Sequence, residues 1–423
     1  MSAPTTEWLH GQRWFAGKAT ADEPGDVHAI ELGGGLAVSL VDVGEDRYQL
    51  VSLDDRPDAL DDPAVASALV EALRDQRAVP TPVGELRFHL TPDTALGAGW
   101  AQPMGAEQSN SSLVVDDRWI LKVFRRVQPG TNPELEVLRF LADRAAPHVP
   151  RLAGWYELRD GADEATLGVL QALVPDAEDG WRWVLEHLPW RPQETVDALH
   201  QLGGVIATLH RSLAGGDVAD GFGSVAGGIR ASEAIADGIR ADAERVAAAL
   251  PRDRDDVRSL LAEAGRVAGA TAHGLDSGRA IRVHGDLHLG QLLVGAEGWT
   301  VIDWEGEPSR PLAERRALQP ALRDVAGLLR SLSYAVATVQ RGSTGHPLGG
   351  WLAAARAALL DGYLEVADPA LLPPSAVGIR DLLALLELEK LVYEVGYEAA
   401  HRPGWLDIPV SGLAAAVTGA RAA

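Results

Sequence analysis

Arg282-Val283-His284-Gly285-Asp286-Leu287-His288-Leu289-Gly290-Gln291-Leu292-Leu293-Val294 leads, through Gly295-Ala296-Glu297-Gly298, into Trp299-Thr300-Val301-Ile302-Asp303-Trp304-Glu305-Gly306-Glu307-Pro308. The strand-like triplets Leu292-Leu293-Val294 and Thr300-Val301-Ile302 bracket a turn-rich tetrapeptide, which predicts a β-hairpin. Such a hairpin brings Gln291 and Asp303 together at its open end, with Asp286 on the loop just before it. Two carboxylates and an amide on neighbouring loop ends offer hard oxygen ligands that suit Mg²⁺, with waters and phosphate oxygens completing the shell. A polar loop capped by His and Asp side chains accounts for any one of these residues, but poorly for the ordered set. A transition-metal site on His284, Asp286 and His288 leaves Asp303 without a role.

The order His-x-Asp-x₄-Gln, followed by a strand that ends in Asp, is similar to the arrangement in kinases. There the first Asp takes the hydroxyl proton and the later one holds metal between the phosphates. Gln291 stands where those enzymes use Asn. The same chemistry calls for a lysine on an earlier strand and an acid on the following helix. Lys122 in Ile120-Leu121-Lys122-Val123-Phe124 fits the first requirement. Glu134 and Glu136 open the next helix, and Glu136 is the preferred partner. No glycine-rich loop precedes the lysine strand. Glu107-Gln108-Ser109-Asn110-Ser111-Ser112 stands in its place. Its hydroxyls, amides and backbone N–H groups can hold phosphates, although an ordinary polar turn reads equally well. His210 ends an apolar helix and reads as a packing histidine; His288 is placed to orient the Asp286 loop.

Working outward, the 423 residues allow two or three domains. Residues 1–97 read as a small strand-rich cap, with a hairpin from Leu36 to Val51 and a helix over 63–76. Gly97-Ala98-Gly99 marks a boundary. Residues 98–178 read strand, strand, helix, strand, strand, and 179–423 are mostly helical, with the strand-like stretch 281–304 interrupting. Sixty acids against 38 bases give a net charge of −22, which repels phosphate backbones and disfavours nucleic-acid binding. The absence of cysteine excludes disulfides, thiolate metal sites and a cysteine nucleophile. No apolar run reaches the roughly 18 residues of a membrane span, and residues 1–10 lack a signal-peptide pattern. The expectation is a cytoplasmic protein that handles small molecules, with no membrane, nucleic-acid or protein partner evident. Only Lys18, Lys122 and Lys390 are lysines, so each of them stands out among the arginines.

With these residues in view, the chain resembles the bacterial maltokinase-like family, within the wider aminoglycoside phosphotransferase and protein-kinase-like group. The resemblance rests on His284 to Gln291 and Asp303 to Pro308. It extends through Pro311-Leu312-Ala313-Glu314-Arg315-Arg316, Leu322-Arg323-Asp324-Val325-Ala326-Gly327, Val392 to Glu398 and His401 to Leu406. Arg13-Trp14-Phe15-Ala16-Gly17-Lys18 resembles the start of the family's cap, and Glu107 to Asn110 with Ile120 to Arg126 resemble its phosphate loop and lysine strand. It implies an α+β, two-lobed protein-kinase-like (aminoglycoside phosphotransferase-like) fold with an N-terminal cap. It further implies ATP-dependent phosphorylation of a sugar hydroxyl with Mg²⁺. In that frame Asp286 is the catalytic base, and Gln291, Asp303 and Glu305 are metal ligands. Lys122, Glu136, Ser109 and Asn110 serve the ATP phosphates, and Gln171 and Val174 lie at the adenine.

The acceptor is read from departures. Maltokinases carry Pro-Asp-Ser-Pro before the Leu-Arg-Asp-Val-Ala-Gly segment and Phe after the metal Asp; this chain has Leu318-Gln319-Pro320-Ala321 and Trp304. A sister branch resembles glucosamine kinases, and its specificity segment would fall at Leu391 to Leu406. Asp286, His288, Glu394, Glu398 and Trp405 are the expected substrate contacts, a carboxylate facing the amine and an aromatic ring under the sugar. D-Glucosamine, phosphorylated to D-glucosamine 6-phosphate, is the favoured reading. Maltose, phosphorylated at its 1-hydroxyl, is the alternative, and a non-catalytic sugar-binding module is the alternative of another class.

Overall fold

The computed structural model describes residues 4–15, 22–54, 56–81, 84–97, 100–105, 109–161, 163–308, 310–342 and 348–422. Ala16-Gly17-Lys18, Ala98-Gly99 and Glu107-Gln108 from the reading above lie outside them. The chain forms two compact units. One comprises residues 1–145 and 149–176, the other residues 146–148 and 177–423.

The first unit runs α1 (Thr6–Gly11), β1 (Pro24–Gly33), β2 (Leu36–Val43), β3 (Asp46–Leu53), α2 (Pro63–Arg74), β4 (Ala78–Thr81), β5 (Gly84–Leu90), β6 (Ala101–Met104), β7 (Asn110–Val115), β8 (Trp119–Phe124), β9 (Arg126–Val127), α3 (Pro133–Ala142), β10 (Leu152–Asp160) and β11 (Asp163–Ala172). Two antiparallel sheets result, of order β1-β2-β3-β9 and β4-β5-β10-β11-β8-β7-β6. They do not divide at residue 97. β5 pairs with β10 from Gly154↔Leu90 to Arg159↔Glu85, while β9 returns to the first sheet through Tyr48↔Arg126. One apolar core runs through both, joining Val38, Leu69, Phe88, Leu121, Tyr156 and Leu170. β2 and β3 are covered on both faces: Val38, Leu40 and Val51 join that core, while Val41, Tyr48 and Leu50 pack with Leu9, Trp14 and Phe15.

The second unit runs β12 (Glu178–Asp179), α4 (Gly180–His187), α5 (Pro192–Ala214), β13 (Ser224–Ala226), α6 (Gly228–Ala249), α7 (Asp255–Ala272), β14 (Arg279–Ile281), β15 (Leu292–Gly295), β16 (Gly298–Val301), α8 (Leu312–Arg315), β17 (Gln319–Pro320), α9 (Leu322–Gly342), α10 (Gly349–Val366), α11 (Ala376–His401) and α12 (Asp407–Ala422). Two small sheets, β12-β15-β16 and β13-β14-β17, sit among the helices. α5 and α10 cross backbone to backbone at Gly203 and Gly362. A Cβ on Gly203 would strike the Leu359 carbonyl, and one on Gly362 the His200 carbonyl. Tyr363, next to Gly362 at this close approach, reaches His210 further along α5 with its hydroxyl. Among the described residues, no helix is long and apolar enough to cross a membrane.

Candidate active site

The segment after β14 is held from beneath by one carboxylate. Asp324, in the first turn of α9, is 1% exposed. Its Oδ2 accepts the backbone N–H of His284 at 2.8 Å, and its Oδ1 that of Gly285 at 2.9 Å. His210 Nε2 lies 3.0 Å from the same Oδ2, and His210 Nδ1 lies 3.0 Å from the Tyr363 hydroxyl. Burial alone raises a carboxyl pKa. Here the hydrogen bond from His210, the charges of His210 and His284 and the Gly285 amide overcome it and hold Asp324 below its usual range. Gly327, one turn on, lets the loop settle on α9, since a Cβ there would run into the Leu287 carbonyl. His210 is therefore buried as the sequence predicted, and it buttresses the loop that carries Asp286. Asp324 appeared in the sequence only as part of a motif. An acid set among Leu322, Val325 and Ala326 at the start of an apolar helix was the available signal.

The hairpin forms as expected, with Leu292↔Val301 and Gly295↔Gly298 in register. Its open end brings the expected pair together. Gln291 Nε2 donates to Asp303 Oδ2 at 2.8 Å, and the Ile302 N–H donates to the Gln291 carbonyl at 3.0 Å. Asp303 has φ of +63°, the left-handed region where a non-glycine residue is strained, and such strain gathers at functional sites. A Glu305 carboxylate oxygen lies within 4.8 Å of one from Asp303. Asp303 and Glu305 thus offer neighbouring hard oxygens of the kind that fits Mg²⁺, with the Gln291 amide bound to Asp303. The His284 ring ties the two loops together. Its Nε2 donates to the Ile302 carbonyl at 2.9 Å, and its Nδ1 faces the Asp286 N–H at 3.4 Å. His288 Nδ1 accepts the Gly290 N–H at 3.1 Å, and burial lowers the pKa of its ring.

On the other side of the loop, Asp286 meets a residue the sequence reading did not place. Lys390 Nζ on α11 donates to Asp286 Oδ1 at 2.9 Å and lies 4.0 Å from Glu307 Oε2. Burial presses the ammonium pKa down, but the charges of Asp286 and Glu307 outweigh it and hold Lys390 above the ordinary lysine value. The Tyr393 hydroxyl donates to Glu307 Oε1 at 3.2 Å. A small cavity of about 40 Å³ opens here, lined by Asp286, Glu307, Glu389, Lys390 and Tyr393 among others.

The substrate contacts expected on α11 need correction. Glu394 is spent on Arg330, Oε2 to Nη2 at 2.8 Å, in a buried ion pair. Glu398 accepts from the Tyr334 hydroxyl at 3.1 Å and from Arg402 at 2.6 Å. Trp405 lies under the Arg341 guanidinium, 4.5 Å from its ring centroid. None of the three lines the cavity beside Asp286. Lys390 and Glu394 share a face of α11 one turn apart: the turn at Lys390 meets Asp286, and the next meets Arg330 on α9.

In the first unit, Lys122 on β8 is paired between Ser112 and Val169 and is 7% exposed. Its Nζ lies 2.9 Å from Glu134 Oε2. The helix acid in this ion pair is thus Glu134, where the sequence preference was Glu136. Glu134 shares the buried stripe of α3 with Leu138 and Leu141, while Glu136, two positions on, falls on a half-buried flank. Asn132 Oδ1 caps α3 by accepting the Glu134 N–H at 2.8 Å, and Pro133 takes the first helical position. Asn110 opens β7 opposite Phe124, with Ser109 just before it. Gln171 pairs with Ile120 near the end of β11, and its Oε1 is buried with no hydrogen-bond partner among the described residues. Val174 follows two residues after that strand. An unsatisfied buried acceptor of this kind suits a ligand amine or amide donor.

Residues 100–370 match the phosphotransferase enzyme family. A glucosamine kinase of Streptacidiphilus jiangxiensis is 30% identical over 322 residues, covering 72% of this chain and 70% of the relative. A glucosamine kinase of Mycolicibacterium smegmatis is 27% identical over 374 residues, 83% of this chain and 87% of the relative. Among solved structures, crystal form B of a glucosamine kinase superposes with a TM-score of 0.71 at 23% identity, over 98% of this chain and 99% of that one. A glucosamine kinase in complex with glucosamine, ADP and inorganic phosphate gives 0.69 at 24% identity, over 93% of each chain. The two superpositions show a shared kinase-like fold.

Proposed function

Since the chain belongs to the phosphotransferase enzyme family, we propose that it is an ATP-dependent sugar kinase that phosphorylates D-glucosamine at its 6-hydroxyl. The observation that carries the reading is the Asp286 loop, clamped by Asp324 and tied through His284 to the Asp303 loop. That arrangement supports Asp286 acting beside a metal held on the Asp303 loop, as phosphoryl transfer to an alcohol requires. The named relatives support glucosamine as the acceptor. No feature of the site favours maltose, and a binding module would have no use for the strained Asp303 or the buried Lys122–Glu134 pair.

Asp286 accepts the proton of the sugar hydroxyl as its oxygen attacks the γ-phosphorus. The bond from that phosphorus to the β–γ bridging oxygen breaks, and ADP leaves with the electron pair. Lys122, held in place by Glu134, holds the ATP phosphates; Ser109 and Asn110 offer further donors. Gln171 and Val174 meet the adenine. Bound Mg²⁺ offsets charge on the phosphates, and Gln291, Asp303 and Glu305 are the residues that would hold it. The protein acts in the cytoplasm on small molecules.

A coupled ADP-release assay with glucosamine, maltose, glucose and an aminoglycoside tests the reading. Turnover on glucosamine, lost by several orders of magnitude in Asp286→Asn, supports it. Turnover on maltose alone, or sugar binding with no turnover, overturns it.

A further inference from the structure

Asp286 carries a cation that its own loop does not supply. The neighbouring loop residue His288 has its Nδ1 taken by the Gly290 amide, and burial lowers the pKa of its ring. Arg323 and Arg310 line the same cavity but turn to Glu389, at 2.9 and 3.5 Å. The ammonium at Asp286 comes from α11, more than a hundred residues along the chain. In a chain of 38 bases with only three lysines, this position holds a compact ammonium in place of a guanidinium fork. Among the described residues, its hydrogen bond goes to Asp286 alone. Glu307 is too far at 4.0 Å for a second, and the Tyr393 ring lies 5.1 Å below. An ammonium has three N–H donors, so two remain to face the cavity.

We propose that Lys390 is a catalytic residue, whose ammonium donates to the phosphoryl group as it arrives on the acceptor oxygen beside Asp286. This rests on the kinase reading given above. An acceptor hydroxyl within hydrogen-bond reach of Asp286 is within one residue's reach of Lys390 Nζ, so the phosphoryl oxygens that gather charge there meet a fixed donor. The ammonium keeps its proton throughout; the hydroxyl proton goes to Asp286. Pairing with a cation makes a carboxylate a weaker base. In a loose phosphoryl transfer that costs little, because stabilising charge on the transferring group contributes more than proton abstraction. The further charges around Lys390 are Glu307 and Glu394, which keep it protonated, and Tyr393, which donates to Glu307.

The test is steady-state kinetics of the full chain with ATP, Mg²⁺ and glucosamine, for Lys390→Met and Lys390→Arg, with thermal unfolding alongside. Lys390→Met should lose about 10²–10³-fold in kcat, as for removal of one transition-state donor, with both KM values within about threefold of wild type. Lys390→Arg should recover about tenfold of that loss, which a purely structural role would not produce. Wild-type kcat in Lys390→Met, or a loss confined to KM, overturns the role of Lys390 while leaving the kinase reading intact. If Lys390→Met does not fold, Lys390→Gln replaces it with the same criteria. If the wild-type protein phosphorylates no sugar at all, the kinase reading falls, and this proposal falls with it.

Discussion

Asp324 accepts the backbone N–H of His284 at 2.8 Å, so a side chain of α9 fixes the main chain two residues before Asp286. The same carboxylate holds Gly285 and faces His210. Asp324→Ala would leave a buried amide, a part-buried one and a buried imidazole without their acceptor. Each unsatisfied group costs about 1–3 kcal/mol, so a loss of at least about 3 kcal/mol is expected. Because the loop that moves also bears Asp286, kcat should fall further than either KM rises. Chemical denaturation and kinetics on one preparation check both parts; normal stability would show that the clamp is dispensable.

The ion pair of Lys122 with Glu134 predicts unequal effects for two neighbouring acids. Glu134→Gln removes the carboxylate 2.9 Å from a buried ammonium, and breaking a buried ion pair costs several kcal/mol. The KM for ATP should rise about tenfold or more. Glu136→Gln should raise it less. The reverse order would return the role to Glu136.

Much of this was legible because period and punctuation agreed. The hairpin over 292–301, the pairing of Gln291 with Asp303, and the strand and helix around Lys122 all follow from local pattern and turn residues. Partnerships set by tertiary packing were not legible. β4 and β5 read as part of a cap, yet their hydrogen bonds complete the seven-stranded sheet, since strand pairing is chosen by distant neighbours. Glu134 and Glu136 differ only by helical phase, and Lys390 and Glu394 by one turn of α11 that a neighbouring helix orients. Spacing narrows such choices to a face; the side chain across from it decides.

Glu394 and Arg330 make a case where a structural role replaces an expected sugar contact. The pair is buried, and burial raises the Glu394 pKa against the lowering effect of Arg330. Arg330→Met would strand that carboxylate, at about 3–5 kcal/mol. Glu394→Gln should lower Tm while leaving the preference for glucosamine over glucose unchanged. A selective loss of the amino sugar would restore Glu394 to the binding site.

Glu157 on β10 gives a pH dependence with a definite sign. Burial raises its carboxyl, but hydrogen bonds from His89 and Arg159 and their charges prevail, and the pKa falls from 4.5 to about 2. A carboxyl depressed on folding contributes stability that is fully present above its unfolded value and is lost as pH falls through the folded one. The window therefore runs from about pH 4.5 down to about 2, with at most about 3 kcal/mol at stake. Comparing wild type with Glu157→Gln isolates this group from the other acids that titrate in the same range. The stability difference between the two proteins should be constant near neutrality and shrink steadily below pH 4.5. A difference that stays flat to pH 2 would mean that His89 and Arg159 do not hold the carboxylate charged, and that β5 and β10 are joined by their ladder hydrogen bonds and apolar faces alone.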